Sequence, residues 1–488
     1  MAARLRLKDR LFTRQFVDHA CGLFKKTHTS FDDKIVKREC TSRTFVDSGL
    51  KVRLELLAKS ISDSLPVSTR EALDILWDVQ KSDYSKKRSM EWTVAPAIVS
   101  LRGMQSVDDP ETWRLCMQRL AQLSQFSTSE NAVRPFLAQR PLRALAQVNE
   151  WTRSDNSHVR RLASECVRPR LPWATRLTLP MSQVLAILSM LRHDGACAVR
   201  RSVANCLGDI AKDDPELVIG LLKLWRVDAQ HRVDLASLGE EVPSAEVLLK
   251  SLQQQQHLQH VDFGLCSSDS DTPSDSTESD DVEDAEEEEV NWIVSNAEIQ
   301  LVEPRHSDDY DDTVSDTPLG QAEHALKSVS WIASHGVRHL VKKGNPDALA
   351  LIGVSPASVA VQDLQLSAPS VRIGESISFT CKAKVARRES DKESVLFQYA
   401  VDYVKARGTS RSVFLLRRMT FTDVKVGSKR SKSQVSFDDL VELGCERKMH
   451  MMTTRKLRPG RHTLHVLANG VVLASKHFEL LPAAIELE

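Results

Sequence analysis

Apolar residues recur at intervals of three and four positions through about the first 240 residues, and one such stripe consists of Leu50, Leu54, Leu57 and Ile61. This spacing places apolar side chains on one face of a helix. Proline, glycine and short clusters of Ser, Thr and Asp separate the stripes, as expected at helix ends. The pattern predicts a series of amphipathic helices over residues 1–240, without strands.

An internal repeat lies within this helical half. The segment 155–163, DNSHVRRLA, is echoed by 194–204, DGACAVRRSVA, and the offset from Val159 to Val199 is 40 residues. A period of about 40 residues with two helices per unit is typical of HEAT-like repeats, which stack into a curved solenoid. A third echo at 336–340, GVRHL, predicts the last helical pair of the solenoid at 323–354.

The residues between these helical segments, 241–322, have a different composition. No Lys or Arg occurs between Lys250 and Arg305, whereas Asp and Glu accumulate from Asp269 to Glu289. Such a segment buries too little apolar surface to offset the entropy cost of folding, so a disordered acidic insertion is predicted. Two interpretations remain open: a solvated linker, or a nucleic-acid mimic that competes for a basic surface of the protein.

Deletion of residues 250–305 distinguishes these two interpretations. If the insertion competes with DNA, its removal is expected to tighten DNA binding at low ionic strength, where charge interactions are screened least. The measurement is a DNA-binding titration at two salt concentrations, with the full-length chain as the reference. An unchanged or weaker affinity contradicts the competition.

Residues 357–482 show a period of two in place of the helical spacing. Segments 371–381, 395–404, 413–416 and 462–467 alternate in this way, and Asn469-Gly470 is typical of a two-residue hairpin turn. Several short strands separated by turns predict a small β-sandwich. A disulfide between Cys381 and Cys445 is the less favoured alternative to free thiols.

Charge and cysteine content narrow the class of protein. The chain has 66 Lys and Arg against 66 Asp and Glu, and this neutral total averages the acidic insertion with a basic remainder. Nine cysteines without a Cys-x-x-Cys pair argue against a zinc site or a disulfide framework. An intracellular location, nucleus or cytoplasm, is expected, with the cluster KRSK at 429–432 as a weak nuclear signal. The basic N-terminus is interpreted as the start of the first helix.

Several segments resemble the AlkC-type DNA alkylation-repair glycosylases, which belong to the same superfamily as the AlkD type. Residues 158–173, HVRRLASECVRPRLPW, look like the signature of that family. The chain is also similar to it at 129–136 (SENAVRPF), 199–212 (VRRSVANCLGDIAK) and 339–353 (HLVKKGNPDALALIG). Residues around Tyr399 and the segment PGRH at 459–462 resemble the immunoglobulin-like domain that some AlkC-type members carry.

This resemblance implies an all-α HEAT-like repeat solenoid followed by an all-β immunoglobulin-like sandwich. It further implies a monomeric, monofunctional DNA glycosylase without metal or cofactor. The expected substrate is a cationic alkylated base in double-stranded DNA, 3-methyladenine first, with 3-methylcytosine or 1-methyladenine as further candidates. Carried over position by position, the lesion pocket comprises Glu130, Glu165 and Trp173, with Asp209 as a weaker fourth member.

The sequence departs from the family pattern at four places. Gly208 stands where Asn usually precedes the aspartate, and Asn131 replaces an aromatic residue after the first glutamate. These two departures put the role of Asp209 and the fine shape of the pocket in doubt. Segment 334–336 is less basic than its family counterpart, and Gln398 replaces an aspartate, which puts DNA contacts in doubt.

The residue types themselves suit removal of a cationic base. Such a base leaves as a neutral molecule, so the remaining problem is the positive charge that develops on the deoxyribose. Preorganised carboxylates stabilise that charge, and one of them can orient or deprotonate the attacking water. An indole face also favours a cation. On a helical wheel Arg161 and Glu165 share the face opposite Val159, and a plain surface ion pair is the alternative interpretation.

Basic residues supply the expected affinity for DNA. In each repeat the first arginine, Arg160 or Arg200, is expected to pair with a loop carboxylate and to have a structural role. The remaining candidates are expected to contact DNA, mainly through its phosphates, which makes binding salt-dependent; they are Arg161, Arg168, Arg170, Arg201, Lys342, Lys343, Arg455, Lys456, Arg461 and His462. Solvated surface charge is the alternative for each of them.

Two other functions remain open on the sequence alone. The first is a catalytically inactive HEAT-repeat protein that binds distorted or branched DNA. The second is a protein-binding scaffold with no preference for DNA.

Overall fold

The computed structural model describes residues 10–83, 93–172, 174–239, 317–354, 359–386, 392–422, 434–435, 440–449 and 457–483. Most of the predicted acidic insertion lies outside these ranges, as do the cluster at 429–432 and three predicted site residues, Trp173, Arg455 and Lys456.

Helices occupy the described residues up to Leu238, and no strand interrupts them there, which confirms the helical interpretation of the first half. The helices of the described ranges are α1 (Arg14–Thr27), α2 (Asp33–Cys40), α3 (Arg43–Asp47), α4 (Leu50–Asp63), α5 (Thr69–Asp83), α6 (Val94–Gln105), α7 (Pro110–Leu123), α8 (Glu130–Gln139), α9 (Pro141–Trp151), α10 (Ser157–Glu165), α11 (Met181–Met190), α12 (Cys197–Ile210), α13 (Pro215–Leu238), α14 (Pro318–Gly336), α15 (Arg338–Lys342) and α16 (Pro346–Leu351). No helix in these ranges combines the length and apolar character needed to cross a membrane.

The 40-residue repeat corresponds to helices α10 and α12, which pack against each other. Val159 and Val199, in equivalent positions, are both buried in this contact region. Arg160 donates from Nε and Nη2 to the carboxylate of Asp194 at 2.6 and 3.0 Å, which links one repeat to the loop of the next. Arg200 donates to the carbonyl of Asp194 at 2.8 Å. The predicted pairing with a loop carboxylate is confirmed for Arg160 and stays a prediction for Arg200, which holds the same loop through backbone carbonyls.

The chain divides into two compact units. The first comprises Met1–Ile210 and Asp228–Ile332, and the second comprises Ala211–Val227 and Ala333–Glu488. The sequence predicted that residues 323–354 belong to the solenoid. In this division α15 and α16 instead belong to the same compact unit as the strands. Helix α14 also begins at Pro318, earlier than the predicted start at 323.

The strands form two sheets, as expected for a sandwich. The first has the order β1-β3-β7 and the second the order β2-β9-β8-β4-β5-β6. Residues from both sheets, including Phe379 and Phe397, are buried together in one apolar core. The strand bounds are β1 (Val359–Leu366), β2 (Ser370–Arg372), β3 (Ser376–Val385), β4 (Lys392–Val404), β5 (Thr409–Thr422), β6 (Gln434–Val435), β7 (Val441–Lys448), β8 (Gly460–Ala468) and β9 (Val471–Leu481).

Cys381 and Cys445 lie on neighbouring strands of one sheet, and both are free thiols. The spacing in sequence that suggested a bridge between the two sheets therefore does not correspond to a bridge in the fold. The less favoured disulfide alternative is wrong, because Phe379 and not Cys381 pairs with Cys445 across β3 and β7.

The predicted hairpin turn at Asn469-Gly470 connects β8 and β9, and both residues have positive φ, at 49° and 78°. The Gln398 side chain accepts a hydrogen bond from the Gly470 amide at 3.1 Å, so this departure from the family pattern has a structural role. The turn contacts Gly344, which follows α15: a Cβ built on Gly344 would lie 2.8 Å from Cα of Gly470. Neither position has room for a side chain.

Replacement of Gly470 with alanine is therefore expected to destabilise the strand-containing unit. A Cβ at positive φ costs about 1–2 kcal/mol by itself, and here it also overlaps the backbone of Gly344. Gly408→Ala is the matched control, because Gly408 has the same φ of 78° with nothing near its Cβ position. Urea denaturation measures the difference, and equal losses for the two variants contradict the close approach.

Candidate active site

Three acidic residues and two arginines of the first unit meet at the ends of α8, α10 and α12. Glu130 opens α8 and Glu165 closes α10. Nη2 of Arg161 lies 3.9 Å from Oε1 of Glu130 and 3.8 Å from Oε1 of Glu165. Because both distances are measured from the same nitrogen, these two carboxylate oxygens lie within about 8 Å of each other.

Arg168 forms a second, tighter set of contacts in the same cluster. Its Nη1 donates to Oε2 of Glu165 at 2.9 Å. On its other edge, Nε and Nη2 lie 2.9 and 2.8 Å from Oδ2 of Asp209. With one more carboxylate than guanidinium groups, the cluster formed by Glu130, Arg161, Glu165, Arg168 and Asp209 carries excess negative charge when all are ionised.

The pKa values of the two glutamates are shifted in opposite directions. Burial raises the pKa of Glu130, and the charge of Glu165 adds to this, although Arg161 partly offsets both. Burial also acts to raise the pKa of Glu165, but the charges of Arg168 and Arg161 outweigh it, and its pKa is lowered. A pair of carboxylates with separated pKa values is the arrangement that allows one to exchange protons while the other stays ionised.

The helix ends impose a further difference between these glutamates. A carboxylate in the first turn of a helix, such as Glu130, is favoured by the helix dipole. Glu165 lies at the opposite end of its helix, where the dipole disfavours an anion. The two guanidinium groups at Glu165 thus compensate for an unfavourable position as well as for burial.

Arg134 connects the Glu130 helix to the loop that follows Glu165. Its buried guanidinium donates to the carbonyls of Cys166, Arg168 and Thr175, at 3.3, 2.8 and 2.6 Å. All three acceptors are backbone carbonyls, so Arg134 fixes the path of the loop. The predicted pocket residue Trp173 belongs to this loop but lies outside the described residues.

The predicted catalytic residues are thus brought together in part. Glu130, Glu165 and Asp209 share one cluster, in which Arg161 lies near both glutamates and Arg168 links Glu165 to Asp209. The prediction that Glu165 lies on an outward face needs correction, because only 5% of the residue is exposed. The helical wheel could not show this, since α8, α12 and the following loop cover that face.

Two predicted DNA contacts are contradicted by burial. Arg168 is 6% exposed and is held by two carboxylates, so it does not present its charge to a phosphate. His462 is fully buried, stacks on Phe478 and bonds through Nε2 to the carbonyl of Arg458. Its position on β8 turns the ring into the sandwich core, which the basic sequence around it did not indicate.

The other residues predicted to contact DNA differ in solvent exposure. Four of them are exposed, namely Arg170, Lys342, Lys343 and Arg461. Arg161 and Arg201 are partly buried, and Arg161 faces the two glutamates. Arg455 and Lys456 lie outside the described residues. DNA contact by all of these remains a prediction.

Sequence reasoning missed the roles of Arg134 and Arg168. A signal for Arg168 was present, because the 40-residue offset places it level with Gly208, next to Asp209. An arginine just beyond α10 and an aspartate on α12, at nearly the same repeat position, are candidates for a buried pair. For Arg134 the sequence contains no such signal, since its partners are all backbone carbonyls.

Comparison with known proteins agrees with this architecture. Residues 87–235 match the family described as DNA alkylation repair enzyme, and residues 360–482 match the C-terminal Ig-like domain of the uncharacterised protein YhaZ. YhaZ of Bacillus subtilis is 29% identical over 442 residues, covering 88% of this chain and 87% of its own. Because YhaZ is bacterial, it does not support the nuclear signal at 429–432.

A solved structure has the same fold over nearly the whole chain. It is the Pseudomonas fluorescens alkylpurine DNA glycosylase AlkC bound to DNA containing an abasic site analog, with a TM-score of 0.67 and 24% identity. The match covers 98% of this chain and 100% of that one. The helical half of the present chain is therefore similar, over residues 87–235, to the family described as DNA alkylation repair enzyme. It shares the fold of that solved structure over nearly its whole length, and its residues 360–482 match an immunoglobulin-like domain.

Proposed function

We propose that this protein is a monofunctional DNA glycosylase that hydrolyses the N-glycosidic bond of cationic alkylated bases. The observation that carries the proposal is the largely buried cluster in which Arg161 lies near both Glu130 and Glu165, with an excess of negative charge. The match of residues 87–235 to the DNA alkylation repair family supports the same class of substrate. 3-Methyladenine is the first candidate base, followed by 3-methylcytosine and 1-methyladenine.

The proposed reaction follows from the charge of the lesion. The bond between C1′ and the base nitrogen breaks, its electron pair neutralises the base, and positive charge develops on the deoxyribose. Carboxylates fixed in a partly desolvated site stabilise this charge more strongly than water does. A neutral base gains nothing comparable, because the same carboxylates must be desolvated without a compensating charge.

The two glutamates have different proposed roles. Glu130, with the raised pKa, accepts a proton from the water whose oxygen bonds to C1′. Glu165 stays ionised beside the sugar, because Arg168 and Arg161 favour its charged form. Trp173 is proposed to line the pocket with its indole face toward the cation.

DNA binding is proposed to use exposed cations outside this cluster. Arg170 in the first unit, and Lys342, Lys343 and Arg461 in the second, are exposed and can contact phosphates. Arg201, partly buried on α12, and Arg455 and Lys456 complete the proposed set. Double-stranded DNA is the proposed partner, bound by a monomer, and affinity is expected to fall steeply as salt rises.

Incubation of the full-length protein with methylated duplex DNA tests the activity. Mass spectrometry of released material is expected to detect free 3-methyladenine, and gel analysis is expected to show intact abasic strands, as a monofunctional enzyme requires. Binding to branched DNA without release of any base favours the inactive DNA-binding alternative. Absence of any preference for DNA favours the protein-binding scaffold.

A further inference from the structure

Arg168 is the most deeply held cation of the candidate active site. It touches Glu165 with one terminal nitrogen and Asp209 with the opposite edge of its guanidinium plane. All three side chains are 7% exposed. An arginine fork can contact two carboxylates in one plane, whereas a lysine ammonium lacks this fixed geometry.

This arrangement links two repeats of the solenoid. Glu165 ends α10, Arg168 follows in the next turn of chain, and Asp209 belongs to α12 of the following repeat. The stacking of α12 on α10 therefore sets the position of Asp209, which sets that of Arg168. The position of Arg168 in turn sets the orientation of the Glu165 carboxylate.

We propose that Arg168 and Asp209 are positioning residues, which together hold the carboxylate of Glu165 ionised and oriented toward the cationic substrate. This inference rests on the proposed function. Asp209 acts on Arg168 and not on the substrate, which replaces the catalytic role expected for it from sequence.

The charged groups around Glu165 are consistent with this role. Arg161 on the same helix and Arg168 favour its ionised form, whereas Glu130 on α8 opposes it. Two nearby thiols, Cys166 and Cys206, have pKa values raised by burial and stay neutral. Arg168 makes the closest contact, at 2.9 Å against 3.8 Å for Arg161, so its loss is expected to affect Glu165 most.

The chain provides a matched control in a structural ion pair. Arg192 and Asp228 are buried to 3% and 0% exposure and lie 3.0 Å apart, outside the site cluster. If Arg168 and Asp209 only stabilise the fold, neutralising either pair has the same kind of effect. If they position Glu165, only the first pair affects recognition of positive charge.

The test uses the double variant Arg168→Met/Asp209→Asn, which removes both charges and leaves neither partner alone. Its control is Arg192→Met/Asp228→Asn. Both are made in full-length protein carrying Glu130→Gln, so that Glu165 is the remaining glutamate of the pair. The measured quantity is the affinity for duplex DNA with a positively charged pyrrolidine abasic analogue, divided by that for the uncharged tetrahydrofuran analogue, between pH 5 and 9.

With only Glu130→Gln, we expect a preference for the cationic analogue that is constant over this range. In the double variant the preference is expected to fall by about tenfold. Because the pKa of Glu165 rises without Arg168, the preference that remains is expected to disappear, as pH falls, at a higher pH than in the parent. The Arg192 control is expected to keep the parent profile. In protein that keeps Glu130, the double variant is also expected to excise bases about 100-fold more slowly than the wild type, as for a misplaced catalytic group.

Arg168→Lys provides a second variant if the double variant does not fold. It keeps the charge but reaches only one carboxylate, and an intermediate profile is expected. A folded double variant with the parent preference and rate overturns the positioning role, and so does a parent without any preference for the cation. A clear preference in protein that releases no base instead overturns the proposed activity and leaves the positioning role supported.

Discussion

Replacement of Glu165 with glutamine is expected to slow base excision by about 100- to 1,000-fold, the loss typical when a preorganised group facing transition-state charge is removed. Glutamine has nearly the same shape and still offers an oxygen to Arg168. The substitution therefore removes the negative charge with little change in packing. Because positive charge develops on the deoxyribose only during the reaction, the rate constant is expected to fall more than the affinity for DNA.

Single-turnover release of 3-methyladenine from methylated duplex DNA measures this loss, together with a binding titration on the same DNA. Glu150→Gln is the control, because Glu150 is an exposed glutamate on the neighbouring helix α9. Undiminished release by the Glu165 variant would mean that the chemistry takes place elsewhere in the chain.

Replacement of Glu130 with glutamine is expected to slow excision by about 100-fold and to remove the acid limb of the pH–rate profile. The raised pKa of Glu130 sets the direction in which the acid limb is displaced. A proton acceptor works only when ionised, so kcat/KM is expected to be full above this pKa and to fall as pH drops through it. In the wild type the fall therefore occurs at a higher pH than the ordinary glutamate value of 4.5.

The lowered pKa of Glu165 predicts a different contribution from that residue. Glu165 stays ionised as pH falls through the range in which Glu130 becomes protonated, so the acid limb is expected to reflect Glu130 alone. The pH dependence of kcat/KM from pH 4.5 to 9 tests this, because it reports the groups of the free enzyme. An acid limb that persists unchanged in Glu130→Gln assigns the titrating group to another residue.

Much of this fold could be predicted from sequence, because it depends on local and repeated patterns. The 40-residue offset identified the stacked helices α10 and α12, and Arg160 bonds to a loop carboxylate as expected. Alternation with a period of two located the main strands, and Asn469-Gly470 identified the β8–β9 turn. The strands and the turn follow from short-range patterns, since backbone conformation depends largely on neighbouring residues, and the repeat follows from similarity at a fixed offset.

The candidate site could be predicted only as a set of residue types. Motif positions indicated Glu130, Glu165 and Asp209, but they could not show which charge each one faces. Arg168 was predicted to bind phosphate because arginines in a basic loop usually do. In the fold, Asp209 from the next repeat lies beside it, and a buried guanidinium between two carboxylates is more stable paired than exposed.

The sequence by itself determined the main elements and the repeat, because these depend on spacing along the chain, and the family resemblance pointed to the acidic residues. Only the tertiary structure decided that Glu130 and Glu165 flank one arginine, and that their pKa values shift in opposite directions. The physical reason is that electrostatic energies depend on distance and burial, and that contacts such as Glu130–Arg161 and Arg168–Asp209 join residues far apart in the sequence. Those distances are fixed by the packing of one helix against another.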